Sequence, residues 1–574
     1  MIFTSILILI VAKALPSINK QITPIYFTRL SSIIFLYAAV LSLNTYYIQS
    51  IGSGIGIYSG LFQVTQVSIF IESFLLLIGS LILISWPSPS INSYIKSNQN
   101  IYNIKLSTDY SLIVLFSSLG SCLLISSYDL ISLYISIELQ SFGLYVLSTL
   151  YRDSETSTKA GLKYFLLGGL SSCIILLGCG IIYSYTGLTN FESIYTVIST
   201  AILDSSSSSF AGAASAAPLF GALSNIIQGL TLGLILIFIG FLFKIAAAPL
   251  HNWSPDVYDE VPTIVTIWLT IIPKISILIL LLELHYYGGS LITAPLSGFG
   301  QTFDSNAAIL KNLLLISSLL SLIIGTVVGL AQSRIKRLLA YSTISHIGFI
   351  LLALAINSDS SSTAAAATAA AAGAAIDSLV FYIIQYTITN LNIFLIIIAL
   401  SYVPAFNSDI KDIRYISELK GKFFSNPILS LSLAICLFSM AGIPPLIGFF
   451  SKQFVLYSAL QNGYYFISFI AIIVSVISAS YYLKIVKVLY TEPADSNLGF
   501  GSSSCSFAGA ASAAPLFGAS QPTLLASKAS WINYLSNVHS YLISVLTLSI
   551  LLFILKPSLI LNSTQLLSLS LFNW

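Results

Sequence analysis

Apolar runs about as long as a bilayer is thick follow one another along this chain, separated by short segments that hold nearly all of its charge. A spanning helix needs about 20 predominantly apolar residues. The runs predict spans near 2–18, 30–47, 68–86, 109–127, 130–150, 160–186 and 223–247, followed by 261–286, 307–330, 337–356, 376–402, 427–460, 464–490 and 538–556. The predicted fold class is therefore an all-α integral membrane protein of about fourteen transmembrane helices.

Charge placement supports the same count. Of 23 Lys and Arg, Lys163, Lys244, Lys274 and Lys452 lie inside spans, and every other one except Lys311 and Lys556 falls at odd-numbered loops. The positive-inside rule produces this alternation, and a miscounted span would break it. Both termini are expected on the side away from the compartment of synthesis.

Composition narrows the function classes. The 574 residues are 56% hydrophobic and only 7% charged, too few charges to cover a water-soluble domain. A net charge of +3 on scattered residues argues against nucleic acid as a partner. The five cysteines, Cys122, Cys173, Cys179, Cys436 and Cys505, have no CxxC spacing, so neither a disulfide framework nor a metal or iron–sulfur site is indicated. The N-terminus has neither a basic n-region nor transit-peptide character and reads as a retained first helix.

Three segments interrupt the Ile-, Leu- and Ser-rich background. FAGAASAAPLFGA occurs at 210–222 and again at 507–519, and 364–375 is nearly all Ala. They are expected to be inserted loops between spans, without chemistry, because surface loops tolerate insertion.

Ionisable residues inside a membrane are costly, about 2.5–3.5 kcal/mol even on lenient scales, and mark ion or proton paths. Glu138 falls near the middle of its span, where so short a side chain cannot reach the surface. Lys163 follows on the next span and can share a groove with Glu138, although a lysine at its depth can also snorkel. Lys244 lies five residues before Pro249, so span seven is expected to break just beyond it. Lys274, beside Pro273, has long apolar sequence on both sides. Loss of solvent disfavours the charged form of an amine, the property a proton carrier needs. His346 reads equally as a core histidine or as a relay imidazole. Lys452 follows Pro444 and Pro445, which break span twelve.

Broken helices are tolerated at membrane depth where they line polar cavities. Interrupted spans seven and twelve, five apart, predict two inverted five-helix repeats, helices 4–8 and 9–13. The corresponding division is an N-terminal segment 1–108, a first half 109–290, a second half 307–490, a loop 491–537 and a C-terminal helix in 538–574. Glu72, Glu283, Asp109, Asp377 and Lys13 are expected near helix ends as interfacial residues. Asp256, Asp259 and Glu260 are expected in a solvated loop, with contact to a partner or proton supply as alternatives.

The segments LISLYISIELQSFGLYVL, GLKYFLLGGLSS, FKIAAAPLHNWSPDVYDEVPT, IIPKIS, IKRLLAYSTISHIGF, MAGIPPLIGFFSKQF and SASYYLKIVKVLY together resemble the antiporter-like membrane-arm subunits of NADH:ubiquinone oxidoreductase, over roughly residues 60–490. The resemblance implies a glutamate–lysine pair of Glu138 with Lys244, and with Lys163, then a relay through Lys274 and His346 to Lys452. A terminal lysine sets the chain apart from the branch with a glutamate there. Fourteen spans resemble fungal, plant or bacterial forms, and the loop insertions together with a residue bias of organellar type point to a fungus.

The resemblance also implies a proton-translocating subunit with no cofactor of its own, with NADH, FMN, iron–sulfur clusters and ubiquinone bound by other subunits. Implied partners are the other membrane-arm subunits, including an adjacent antiporter-like subunit 4 and the small subunits beside it, and lipids such as cardiolipin. The implied location is the mitochondrial inner membrane, with both termini in the intermembrane space and the basic loops in the matrix. A stand-alone cation/proton antiporter and a non-pumping structural subunit are the rival readings.

Overall fold

The computed structural model describes residues 1–15, 24–46, 54–84, 109–151, 154–194, 196–197, 217–293, 304–356, 367–401, 412–491 and 537–572. The second FAGAASAAPLFGA copy, Cys505 and nearly all of the 491–537 loop lie outside them.

The described residues form a helical bundle. In chain order the helices are α1 (Ile2–Ala14), α2 (Pro24–Tyr46), α3 (Gln66–Ile84), α4 (Asp109–Ile125), α5 (Leu130–Thr149), α6 (Glu155–Thr186), α7 (Ala217–Ile245), α8 (Ser254–Glu260) and α9 (Thr263–Thr293). They continue with α10 (Asp304–Leu330), α11 (Ile335–Ile356), α12 (Ala367–Ser401), α13 (Lys422–Ser425), α14 (Pro427–Ala441), α15 (Ile447–Gln461), α16 (Tyr465–Tyr490), α17 (Asn537–Leu551) and α18 (Ser558–Phe572). Nine of these are long and apolar enough to cross a membrane, and five shorter apolar helices stand at the remaining predicted spans. The chain is a multi-pass membrane protein.

Both predicted interruptions are present. The seventh span ends at Ile245 and the chain turns before α8; the twelfth is split into α14 and α15. Gly442, at φ +89°, makes the second turn in a conformation that a side chain would strain.

Helices approach closely where side chains are small. A Cβ on Gly120 of α4 would lie 2.6 Å from the Gln140 nitrogen of α5, and one on Gly325 of α10 2.7 Å from the Ser345 nitrogen of α11. Small residues allow such packing where lipid supplies no hydrophobic drive between helices. The many serines cost little there, because hydroxyls such as those of Ser117, Ser318 and Ser342 donate to carbonyls one turn back. The central helices are the most enclosed: the apolar window of α11 is fully buried, and those of α9 and α12 are 94% buried.

Four expectations need correction. Ala217–Ala222 and Ala367–Ala375 continue α7 and α12 as helix instead of looping out: Pro218 falls in the first turn of α7, where its missing N–H costs nothing, and the second segment is nearly all alanine, the strongest helix former. α18 was not expected: its Asn, Ser, Thr and Gln dilute the apolar signal, yet it packs on α12. Asp256, Asp259 and Glu260 form the short helix α8, with Asp259 buried, instead of a solvated loop. Glu72, Glu283 and Asp377 lie within the bodies of α3, α9 and α12, because α3 starts at Gln66, α9 runs on to Thr293 and α12 starts at Ala367. A two-stranded hairpin, β1 (Ile55–Ile57) with β2 (Phe62–Val64), also stands between α2 and α3.

Candidate functional site: a row of buried charge

Lys244, on the last turn of α7, is nearly sealed from solvent, and its Nζ lies 3.4 Å from Glu138 Oε1 on α5. A buried cation needs a counter-charge or a hydrogen bond, and this pair supplies both. Beside it is a cavity with room for water, lined by Gln140, Ser141, Tyr145, Tyr164, Lys244 and Trp253. The Trp253 indole donates to the Phe243 carbonyl at 2.9 Å, which fastens the chain after the break to the residue before Lys244.

Gln140, two residues beyond Glu138, donates to Ser276 Oγ at 2.9 Å. That bond joins the neighbourhood of the first pair to α9, where Lys274 is 2% exposed. Lys274 Nζ donates to Thr343 Oγ1 of α11 at 3.2 Å and lies over the rings of Tyr258 and Tyr386, 5.5 and 6.0 Å from their centroids. No carboxylate is paired with it among the described residues. Hydroxyl and ring contacts compensate a charge less fully than an anion does. The Tyr258 hydroxyl and both side-chain polar atoms of Asn390 have no protein hydrogen-bond partner among the described residues, and buried groups of this kind bond to water.

His346, three residues after Thr343 on α11, sits between two tyrosines. Its Nδ1 is 2.7 Å from the Tyr382 hydroxyl of α12, and its Nε2 is 3.4 Å from the Tyr482 hydroxyl of α16. One turn further, Phe349 lies under Lys452 Nζ at 5.8 Å. Lys452, buried on α15, donates to the carbonyls of Met440 and Ala441 at 2.9 and 3.0 Å. These are end carbonyls of α14, left without helical partners by the break, at the negative end of its dipole.

Five of the six residues singled out in the sequence, Glu138, Lys244, Lys274, His346 and Lys452, thus stand along one succession of contacts. The sixth, Lys163, departs from expectation: it pairs with Asp256 of α8, not with Glu138, and its side chain is 40% exposed. Glu138 lies deeper along its helix, so Lys163 takes the nearer anion.

Sequence reasoning missed an ion network at this end of the bundle. Asp256 also binds Arg337 at 2.9 Å, Asp259 binds Arg334 at 2.6 Å, and Lys336 binds Asp412 at 3.1 Å and the Val261 carbonyl at 3.0 Å. Asp412 caps the start of α9 by accepting from the Thr263 nitrogen and hydroxyl. Burial works against its charge, but Lys336 and Thr263 outweigh that and hold its carboxyl below the usual range. Glu260 shifts the other way, raised by burial and by the neighbouring Asp256 and Asp259. His251, in the turn after α7, was also missed; its buried Nδ1 has no hydrogen-bond partner among the described residues. The pairings join residues 75–149 positions apart, and no local spacing carries them.

Fold and site together define an antiporter-like membrane protein with a row of buried ionisable groups. A model of the NADH:quinone oxidoreductase/Mrp antiporter transmembrane family matches residues 127–478. The chain is 45% identical over its full length to the full-length NADH-ubiquinone oxidoreductase chain 2 of Rhizopus oryzae, in keeping with the fungal resemblance. It is 38% identical to the Marchantia polymorpha chain 2 over 66% of this chain and 67% of that one. Among solved structures, a chain of respiratory complex I from Thermus thermophilus superposes with a TM-score of 0.62 at 23% identity, covering 98% of this chain and 99% of that one. The protein belongs to the chain 2 branch of the NADH:quinone oxidoreductase/Mrp antiporter family.

Proposed function

We propose that this chain carries protons for NADH:ubiquinone oxidoreductase, of which its family forms a membrane subunit, through Glu138, Lys244, Lys274, His346 and Lys452. The observation that carries the proposal is Lys274, buried in the most enclosed part of the bundle with a hydroxyl and two rings for company and no anion paired with it among the described residues. In this reading Glu138 keeps Lys244 charged at rest. A change arriving from the neighbouring subunit separates them, and the freed proton passes by way of Lys274 and His346 to Lys452. Lys163, paired with Asp256, stands beside this path on the ion-network side. Moving one charge against 100 mV takes about 2.3 kcal/mol, which a pKa change of two units covers.

The halves 109–290 and 307–490 act as inverted repeats, each with its own lysine beside a helix break. Redox cofactors are carried by other subunits. The neighbours are other membrane-arm subunits, among them an antiporter-like subunit 4, and lipids such as cardiolipin. The location is the mitochondrial inner membrane, with both termini in the intermembrane space and the ion network toward the matrix. Purification in mild detergent tests assignment to the complex: co-purification with the NADH-oxidising subunits is expected. Sodium-dependent transport by the isolated chain in liposomes would instead establish a free-standing antiporter.

A further inference from the structure

The short helix α8, together with Trp253 just before it, reaches the neighbourhoods of Lys163, Lys244 and Lys274. Trp253, just before it, holds the carbonyl next to Lys244. Tyr258 lies against Lys274. Asp256 divides its carboxylate, Oδ2 to Lys163 on α6 and Oδ1 to Arg337 on α11. α11 in turn carries Thr343, the hydrogen-bond partner of Lys274, and His346.

We propose that Asp256 is a positioning residue that ties α8 to α6 and α11 at once, so that a change at the Glu138–Lys244 pair is passed through α8 to Lys274. This rests on the relay described above and adds a coupling element to it. An exposed ion pair between two surface side chains contributes little. Asp256 differs because one carboxylate serves cations from both halves, and because Asp259–Arg334 and Lys336 with the Val261 carbonyl fasten the same segment to α11. Without Asp256, the segment keeps the Asp259–Arg334 pair and the Lys336 bond to the Val261 carbonyl but loses its ionic ties to α6 and to Arg337 of α11. Lys163 and Arg337 are then left without their shared anion.

The test is Asp256→Asn in the assembled oxidoreductase in sealed vesicles, with proton pumping measured per assembled complex. The tether predicts at least about a fivefold loss, the lower range for coupling between sites, with assembly retained and most of the rate restored in Asp256→Glu. It also predicts that Asp256→Asn combined with Arg337→Gln is no slower than Asp256→Asn alone. Wild-type pumping in Asp256→Asn, or effects of the two substitutions that multiply, would overturn the inference. Where Asp256→Asn does not assemble, Arg337→Gln and Lys163→Gln each remove one arm, and wild-type pumping in both would equally overturn it. Pumping lost in Lys274→Met but normal in Asp256→Asn sinks only the tether, whereas normal pumping in Lys274→Met sinks the relay beneath it.

Discussion

The Lys244 ammonium stands 3.4 Å from Glu138 Oε1, on two helices 106 residues apart in sequence, where neither group has much access to water. Each makes the other's burial tolerable. Glu138→Gln leaves a cation without its anion, and removing one partner of a buried pair costs about 3–5 kcal/mol. The expected result is loss of proton pumping together with lower yield of assembled complex. Adding Lys244→Met should recover the yield but not the pumping, as measured by native gels and vesicle acidification.

The seat of Lys452 depends on Gly442. A Cβ there would lie 3.2 Å from Lys452 Cδ, and the backbone has φ +89°. Gly442→Ala should cost about 1–2 kcal/mol, the usual penalty for a left-handed residue with a side chain. Slower pumping is expected from the displaced lysine, whereas wild-type turnover in vesicles would show that the seat is not needed.

Tyr382 fixes His346 through the 2.7 Å contact at Nδ1. Tyr382→Phe removes a buried hydrogen bond worth about 1 kcal/mol, so a rate reduction of several-fold is expected. His346→Phe should reduce the rate further. Steady-state proton flux of both variants at equal complex content makes the comparison.

Sequence alone revealed the helices and the depth of the charges, because both depend on local composition and on a fixed rise per residue. The burial of Glu138, Lys244, Lys274, His346 and Lys452 was readable for that reason, and the prolines marked the breaks. The partner of Lys163 was not readable. Depth along a helix says nothing of which side chain arrives from 93 residues away. The same holds for Asp412 on Thr263, for the two tyrosines around His346 and for the tether through α8. α18 escaped because short, serine-rich helices give a weak apolar signal.

Asp412 predicts how stability responds to acid. Its carboxyl is held below the usual range by Lys336 and Thr263 despite burial, so its folded pKa is lower than its unfolded one. The contribution is present above the unfolded value, about 3.9, and is lost as pH falls through the folded pKa. At neutral pH, Asp412→Asn should lower the melting temperature of the solubilised complex. Below about pH 4 the gap between variant and wild type should narrow, and a constant gap would contradict this role.

Proton transfer through Lys274 is tested most directly by Lys274→Met in the assembled enzyme, reconstituted in sealed vesicles and followed by an internal pH dye during NADH oxidation. The relay predicts normal assembly with pumping abolished or strongly reduced. Acidification at the wild-type rate, with the complex intact, would contradict it.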